Sequence, residues 1–251
     1  WDHHSQFSNT NIEECLKFIN TTQQAAHQYI QKTQWLMITW GSAFVYELTQ
    51  EAQNNNSLAK KPIGKIVANC HKAPSDWFNR RLLSVDEILN TFNTLIGKLL
   101  KSNPQLHIIL TISPVRHLRE GLIDNNRSKV VLIQAVHQLC EIFDRVHYFP
   151  SYELVIDDLR DYRFYAEDLV HPNHQATQYV WEKFVEMCIH ADSVPTMQTI
   201  EKIRAAYLHK PLHPQSQQHQ TFLKSYLEKT KLLQQQFPEI DFSNEINYFG
   251  M

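Results

Sequence analysis

Two short apolar runs constrain this chain most. Trp35-Leu36-Met37-Ile38-Thr39-Trp40 and His107-Ile108-Ile109-Leu110-Thr111-Ile112 are nearly continuous in apolar character, and each stops in a turn, at Gly41-Ser42 and at Ser113-Pro114. A strand reads this way when both of its faces are buried, as in a parallel sheet covered by helices on either side. Helical patterns surround the two runs. Thr10 with Glu13 three residues on predicts a capping box, and Ile12, Cys15, Leu16 and Ile19 follow the spacing of one buried face. Ser84 with Glu87 predicts a second capped helix through Ile88, Phe92, Leu95, Leu99 and Leu100, punctuated by Pro104. A short strand at Ile66-Val67-Ala68 and a loop at Asn54-Asn55-Asn56 lie between them. A helix from about Ser128 to Phe143, a strand Val146-His147-Tyr148-Phe149 and a helix beginning after Pro172 and running to about Ile189 continue the alternation. The pattern predicts an α/β domain with a parallel sheet and right-handed crossovers.

After Pro195 the character changes. Helical stretches at 196–208 and 216–236, joined by His209-Lys210-Pro211-Leu212-His213-Pro214, carry polar, Gln-rich faces. The expected division is therefore an α/β domain over 1–192 and a helical appendage over 193–251. The chain begins at Trp1, and its α/β part opens on a helix, whereas such sheets usually open on a strand. The expectation is that an amino-terminal piece with the first strand, and any targeting segment, has been removed.

Composition narrows the function classes. With 24 Lys and Arg against 26 Asp and Glu, the net charge of −2 gives no basic excess for nucleic acid. No run of about 18 apolar residues predicts a membrane span. The five glycines are scattered, which excludes a Walker loop and a G-x-G-x-x-G fingerprint. Cys15, Cys70, Cys140 and Cys188 form no C-x-x-C pair and fit reduced thiols in the cytoplasm. The 14 histidines include no H-E-x-x-H, so neither a metal nor another cofactor is expected.

The strongest chemical signal is Asp168-Leu169-Val170-His171-Pro172-Asn173, just before the last helix of the α/β section. An Asp three residues before a His in a turn can set its carboxylate against Nδ1 and leave Nε2 free as a base. The alternative is a structural pair at a helix start. Arg116, in Ser113-Pro114-Val115-Arg116-His117, suits an anionic substrate through bidentate contacts, against a solvated surface loop as the alternative. Asn69, in Asn69-Cys70-His71-Lys72, is a candidate oxyanion donor. Cys70 and His71 would point to opposite sides of an extended chain, which disfavours a thiol dyad. The dense run Asp157 to Tyr165 reads as charges pairing among themselves.

Together these residues make the chain resemble the GSCFA family, a branch of the SGNH (GDSL-like) hydrolases. The resemblance rests on Asp2-His3-His4-Ser5, Gly41-Ser42-Ala43-Phe44-Val45-Tyr46, Val67-Ala68-Asn69-Cys70-His71-Lys72 and Leu82-Leu83-Ser84-Val85. It continues through Ser113 to His117, Phe149-Pro150-Ser151-Tyr152-Glu153 and Asp158 to Tyr165, and ends at Asp168 to Pro172. It implies a flavodoxin-like three-layer α/β/α parallel sheet of the SGNH-hydrolase type, here lacking its first strand, and a hydrolase acting on esters, with an O-acyl carbohydrate as the superfamily's suggested substrate. Asp168 would orient and His171 would act as base. The family's Gly-Ser-Cys-Phe-Ala string, which carries the expected nucleophilic serine, is absent. Gly41-Ser42-Ala43-Phe44 matches by order a later Gly-Thr-Ala-Trp segment, where SGNH enzymes carry Gly-x-Asn. Ala43 stands in place of that Asn. Gly41, Asn69, Arg116 and His117 become the oxyanion or substrate-facing candidates, and Ser42 the alternative nucleophile. The rival reading is a binding or regulatory module that kept the fold without the chemistry. The expected partner is a small-molecule or glycan ester, with neither nucleic acid nor membrane.

Overall fold

A computed structural model describes residues 2–54, 62–118 and 121–250. The chain is mixed α/β and divides into two compact units, Trp1–Val180 and Trp181–Met251.

In the first unit, β1 (Trp35–Trp40), β5 (His107–Ile112) and β6 (Val146–Phe149) form a wholly parallel sheet in the order β1-β5-β6. The bounds of these strands are those of the apolar runs. Register places Trp35 beside His107 and Trp40 beside Ile112. Leu36, Ile38 and Trp40 of β1 join Ile108, Leu110 and Ile112 of β5 in one core with Ile88, Ile96, Leu132, Val136 and Leu139. Those last residues come from α3 (Val85–Ser102) and α4 (Leu122–Ile142). The capping box of α3 is present in both directions between Ser84 and Glu87.

Several expectations are corrected. The first helix, α1 (Ile12–Ile30), is capped by Asn11 and not by Thr10. Asn11 Oδ1 accepts from the amides of Glu13 (2.8 Å) and Glu14 (3.3 Å). The apolar spacing of α1 does not mark a buried face: no residue of it is buried among the described residues, and Ile12 and Leu16 are 75% and 53% exposed. Periodicity reports that a helix is amphipathic, not that anything covers it. The helix expected from Ser128 begins six residues earlier, after Gly121 at φ +81°. Its first turns bury the polar residues Asn125, Ser128 and Lys129 and expose Leu122 and Ile123, so their sequence does not show a helix with an apolar buried face.

Strands β2 (Phe44–Leu48), β3 (Ile66–Val67) and β4 (Phe78–Leu82) were not part of the expected alternation as a group. They form a separate antiparallel sheet in the order β3-β2-β4. The strand at Ile66 therefore exists, but it is not part of the parallel sheet. Asn54 ends the short helix α2 (Gln50–Asn54), while Asn55 and Asn56 of the expected loop lie outside the described residues. Ser151–Glu153 (α5) runs on into a π-helical turn, Leu154–Leu159, and α6 (His174–Cys188) follows the Asp168–His171 segment.

In the second unit, α7 (Val194–Leu208), α8 (Gln217–Gln236) and α9 (Ser243–Phe249) bury Ile203, Ala206, Leu223, Leu233, Phe242 and Phe249 against one another. The Gln234 side chain closes the α8–α9 connection. Its Nε2 donates to Ile240 O (2.7 Å), and its Oε1 accepts from the Phe242 amide (3.1 Å).

The contrast between Leu110, fully buried, and Leu16 yields a paired test. Leu110→Ala should lower stability by about 2–5 kcal/mol, while Leu16→Ala should stay within about 0.5 kcal/mol. Urea denaturation followed by tryptophan fluorescence measures both. Equal losses would mean that the α1 face is covered in solution.

Candidate active site

The Asp168–His171 segment is a turn built around one carboxylate. Tyr165 and Pro172 pair across its base as an antiparallel bridge. Ala166 N donates to His171 O (2.8 Å) and Leu169 N to Ala166 O (2.9 Å). Leu169 takes φ +55°, a left-handed conformation that a branched side chain seldom adopts. Asp168 offsets that cost: its Oδ1 accepts from the amides of Val170 (2.9 Å) and His171 (3.0 Å). Its Oδ2 accepts from His171 Nδ1 at 2.7 Å. Short Asp side chains suit such turns because they reach amides two or three residues on.

The donors hold Asp168 ionised. The His171 amide first, then its imidazole and the Val170 amide, bring the carboxyl down to about 2. An ionised carboxylate can only accept, so the hydrogen sits on Nδ1 and the Nε2 lone pair of the neutral ring is free for a proton. The side chains are 62% and 48% exposed for His171 and Asp168. Solvent screens such a pair, which makes it a device for orientation more than for stability.

The loop after β5 reaches this turn. Arg116 N and Nη1 lie 3.5 Å from the carbonyls of Val170 and Leu169. Its guanidinium sits 4.4 Å from the Tyr165 ring centre and 5.2 Å from that of Tyr162. His117 N donates to Asn125 Oδ1 (3.0 Å). Its Nε2 would lie 3.6 Å from a Cβ placed on Gly41, so the imidazole rests close over that glycine. The structure thus brings Arg116 to the backbone of the turn between Asp168 and His171, and His117 to Gly41.

The other candidates are engaged elsewhere. Ser42 Oγ accepts from Phe44 N (3.1 Å) and lies 3.2 Å from Ser128 Oγ. Asn69 Oδ1 accepts from His71 N (2.7 Å), and its Nδ2 donates to Ser5 Oγ (3.4 Å). That amide secures a tight turn in which His71 and Lys72 both have positive φ. Among the described residues, neither side chain bonds the His171 ring. In the run from Asp157 to Tyr165, Arg160 pairs with Asp157 (3.3 Å) and Arg163 with Asp161 (3.5 Å).

Sequence reasoning passed over the amino-terminal turns of α4. Ser128 Oγ accepts from Ala43 N (2.7 Å). Lys129, 1% exposed, donates from Nζ to Gly41 O and Ser113 O, both at 2.7 Å. A signal existed: Asn125, Ser128 and Lys129 occupy the same helical face as Leu132, Ala135, Val136 and Leu139, all of them buried. Three polar residues in line with a buried stripe mark a buried polar function. Among the described residues, no group of three or more His, Cys, Asp and Glu side chains could hold a metal ion. No helix there is long and apolar enough to cross a membrane.

Comparison with known families gives two matches. The GSCFA family matches residues 1–184, and the GSCFA domain protein, C-terminal domain, matches residues 200–250. No curated protein and no solved structure matches the chain.

The Asp168 contacts fix a pH dependence. Its folded value of about 2 lies below the ordinary carboxyl value of about 3.9. The turn's contribution is therefore complete above about pH 4 and is lost as pH falls through about 2. Carbon NMR of the Asp168 carboxyl should titrate with a midpoint near that lower value. A midpoint at the ordinary value means that the three contacts are not made in solution.

Proposed function

The chain belongs to the GSCFA family, and on that footing we propose that His171 and Asp168 form the base and its orienting carboxylate in an SGNH-type serine esterase site. The observation that carries the reading is the 2.7 Å bond from His171 Nδ1 to a carboxylate held ionised by two amides. The proposed fold is the flavodoxin-like three-layer form. Its support is the all-parallel order β1-β5-β6, with the loops at Gly41 and Ser113 leaving adjacent carboxyl ends, where open α/β sheets bind ligands.

In the proposed reaction His171 Nε2 takes the hydroxyl proton of a serine as its oxygen attacks the ester carbonyl. Asp168 stabilises the imidazolium that forms. A backbone donor at Gly41–Ser42 faces the oxyanion. Collapse breaks the ester C–O bond, and His171 returns the proton to the leaving alcohol. Water, activated by the same nitrogen, then cleaves the acyl-serine. Arg116 and His117 face the substrate from the loop after β5. An O-acyl carbohydrate fits by superfamily analogy.

The nucleophile is proposed to come from outside these 251 residues. The support is that the Ser42 hydroxyl is engaged with Ser128 and the Phe44 amide. The engagement of Ser42 and Asn69 also favours a second reading, a binding module on the same fold that does not cleave esters.

Hydrolysis of p-nitrophenyl acetate and acetylated sugars by the product of the complete reading frame separates the two. His171→Gln and Asp168→Asn should each reduce kcat/KM by roughly 10²- to 10⁴-fold with thermal stability retained. Activity indifferent to both changes contradicts the esterase reading, and absence of activity favours the binding module. Hydrolysis by the 251-residue chain that disappears in Ser42→Ala moves the nucleophile to Ser42.

A further inference from the structure

A buried ammonium is an expensive group to place in a protein core, and it persists only where hydrogen-bond acceptors surround it. Lys129 has two at 2.7 Å, and they are the carbonyls that leave the ends of β1 and β5. The Gly41 carbonyl belongs to the same peptide group as the Ser42 amide. Among the described residues that amide hydrogen has no acceptor. The preceding peptide is anchored too, since Trp40 O accepts from Ser113 N (2.9 Å). Ser128 fixes the following residue through Ala43 N. The Ser42 amide is thus a free donor within a segment held on both sides, in a residue that is only half-buried.

We propose that Lys129 is a positioning residue that makes the Ser42 amide the oxyanion donor of the site. Its ammonium fixes the Gly41–Ser42 peptide and draws electron density from the Gly41 oxygen. The N–H on the other side of that peptide then donates more strongly to a negative oxygen. The purpose rests on the esterase reading; the geometry rests on the two lysine bonds. The same arrangement accounts for Ala43 at the position where a side-chain amide would otherwise donate. A polarised backbone donor takes over that task.

The test uses the ¹⁵N-labelled 251-residue protein with acetate as a carboxylate probe. In the unsubstituted protein the Ser42 amide proton should move downfield in a saturable titration. In Lys129→Met the Ser42 nitrogen should move upfield before any acetate is added, more than the neighbouring amides, and the acetate response should be lost. Ser128→Ala frees the Ala43 amide but leaves the ammonium, so the response should survive. A purely structural lysine would disturb all the loop amides alike in Lys129→Met. A Ser42 amide indifferent to acetate in the unsubstituted protein overturns the proposal, and that measurement stands if Lys129→Met does not fold. Equal responses in the Lys129→Met and unsubstituted proteins also overturn it. An acetate response in a protein whose complete reading frame cleaves no ester supports the donor and contradicts the esterase reading alone.

Discussion

The in-register parallel pairing of β1 with β5 is the constraint on which the rest of the structure depends. Parallel strands end side by side, so Gly41 and Ser113 leave the sheet together and must then diverge. Trp40 O accepts from Ser113 N as the last bond before they part. A slip of one residue would turn Ile108, Leu110 and Ile112 away from the core they share with α3 and α4. The third strand is locked in the same way. Thr111 Oγ1 donates to Phe149 O (2.7 Å), and Ser151 Oγ donates to Ile112 O (2.8 Å). The placing of the Gly41 and Ser113 loops side by side thus follows from the register.

Two charged groups are held by opposite means. Lys129 is buried and relies on carbonyls from both diverging loops, so its position depends on the tertiary fold. Removing it would strand two acceptors, a cost of about 1–3 kcal/mol for each one left unsatisfied. Asp168 is exposed and relies on amides two and three residues away, so its position depends on a local turn that carries Leu169 at positive φ. Such an exposed pair adds little to stability. What it contributes is a defined imidazole orientation, and conserving strain for orientation is characteristic of functional turns.

What could be read from sequence tracks how local the physics is. The strands Trp35–Trp40 and His107–Ile112 were legible because continuous apolar runs bounded by turn residues have few other folded solutions. The Ser84–Glu87 box was legible because a cap needs only four residues. The contact between Asp168 and His171 was legible for the same reason. The antiparallel sheet was not, since β3 has two residues and Phe44–Leu48 alternates only weakly. The start of α4 was hidden because Asn125, Ser128 and Lys129 are buried polar residues whose partners lie outside the helix, at His117, Ala43, Gly41 and Ser113. The lack of a cover for the apolar positions of α1 is likewise a tertiary fact that spacing cannot report.

The proposed base requires Asp168 to hold the His171 ring with its hydrogen on Nδ1 and a free lone pair on Nε2. Long-range ¹H–¹⁵N NMR of the imidazole, at a pH where the ring is neutral, reads this tautomer directly. A protonated Nδ1 and an unprotonated Nε2 are expected, with that preference weakened or reversed in Asp168→Asn. A protonated Nε2 in the unsubstituted protein, or a tautomer balance unchanged by Asp168→Asn, would contradict it.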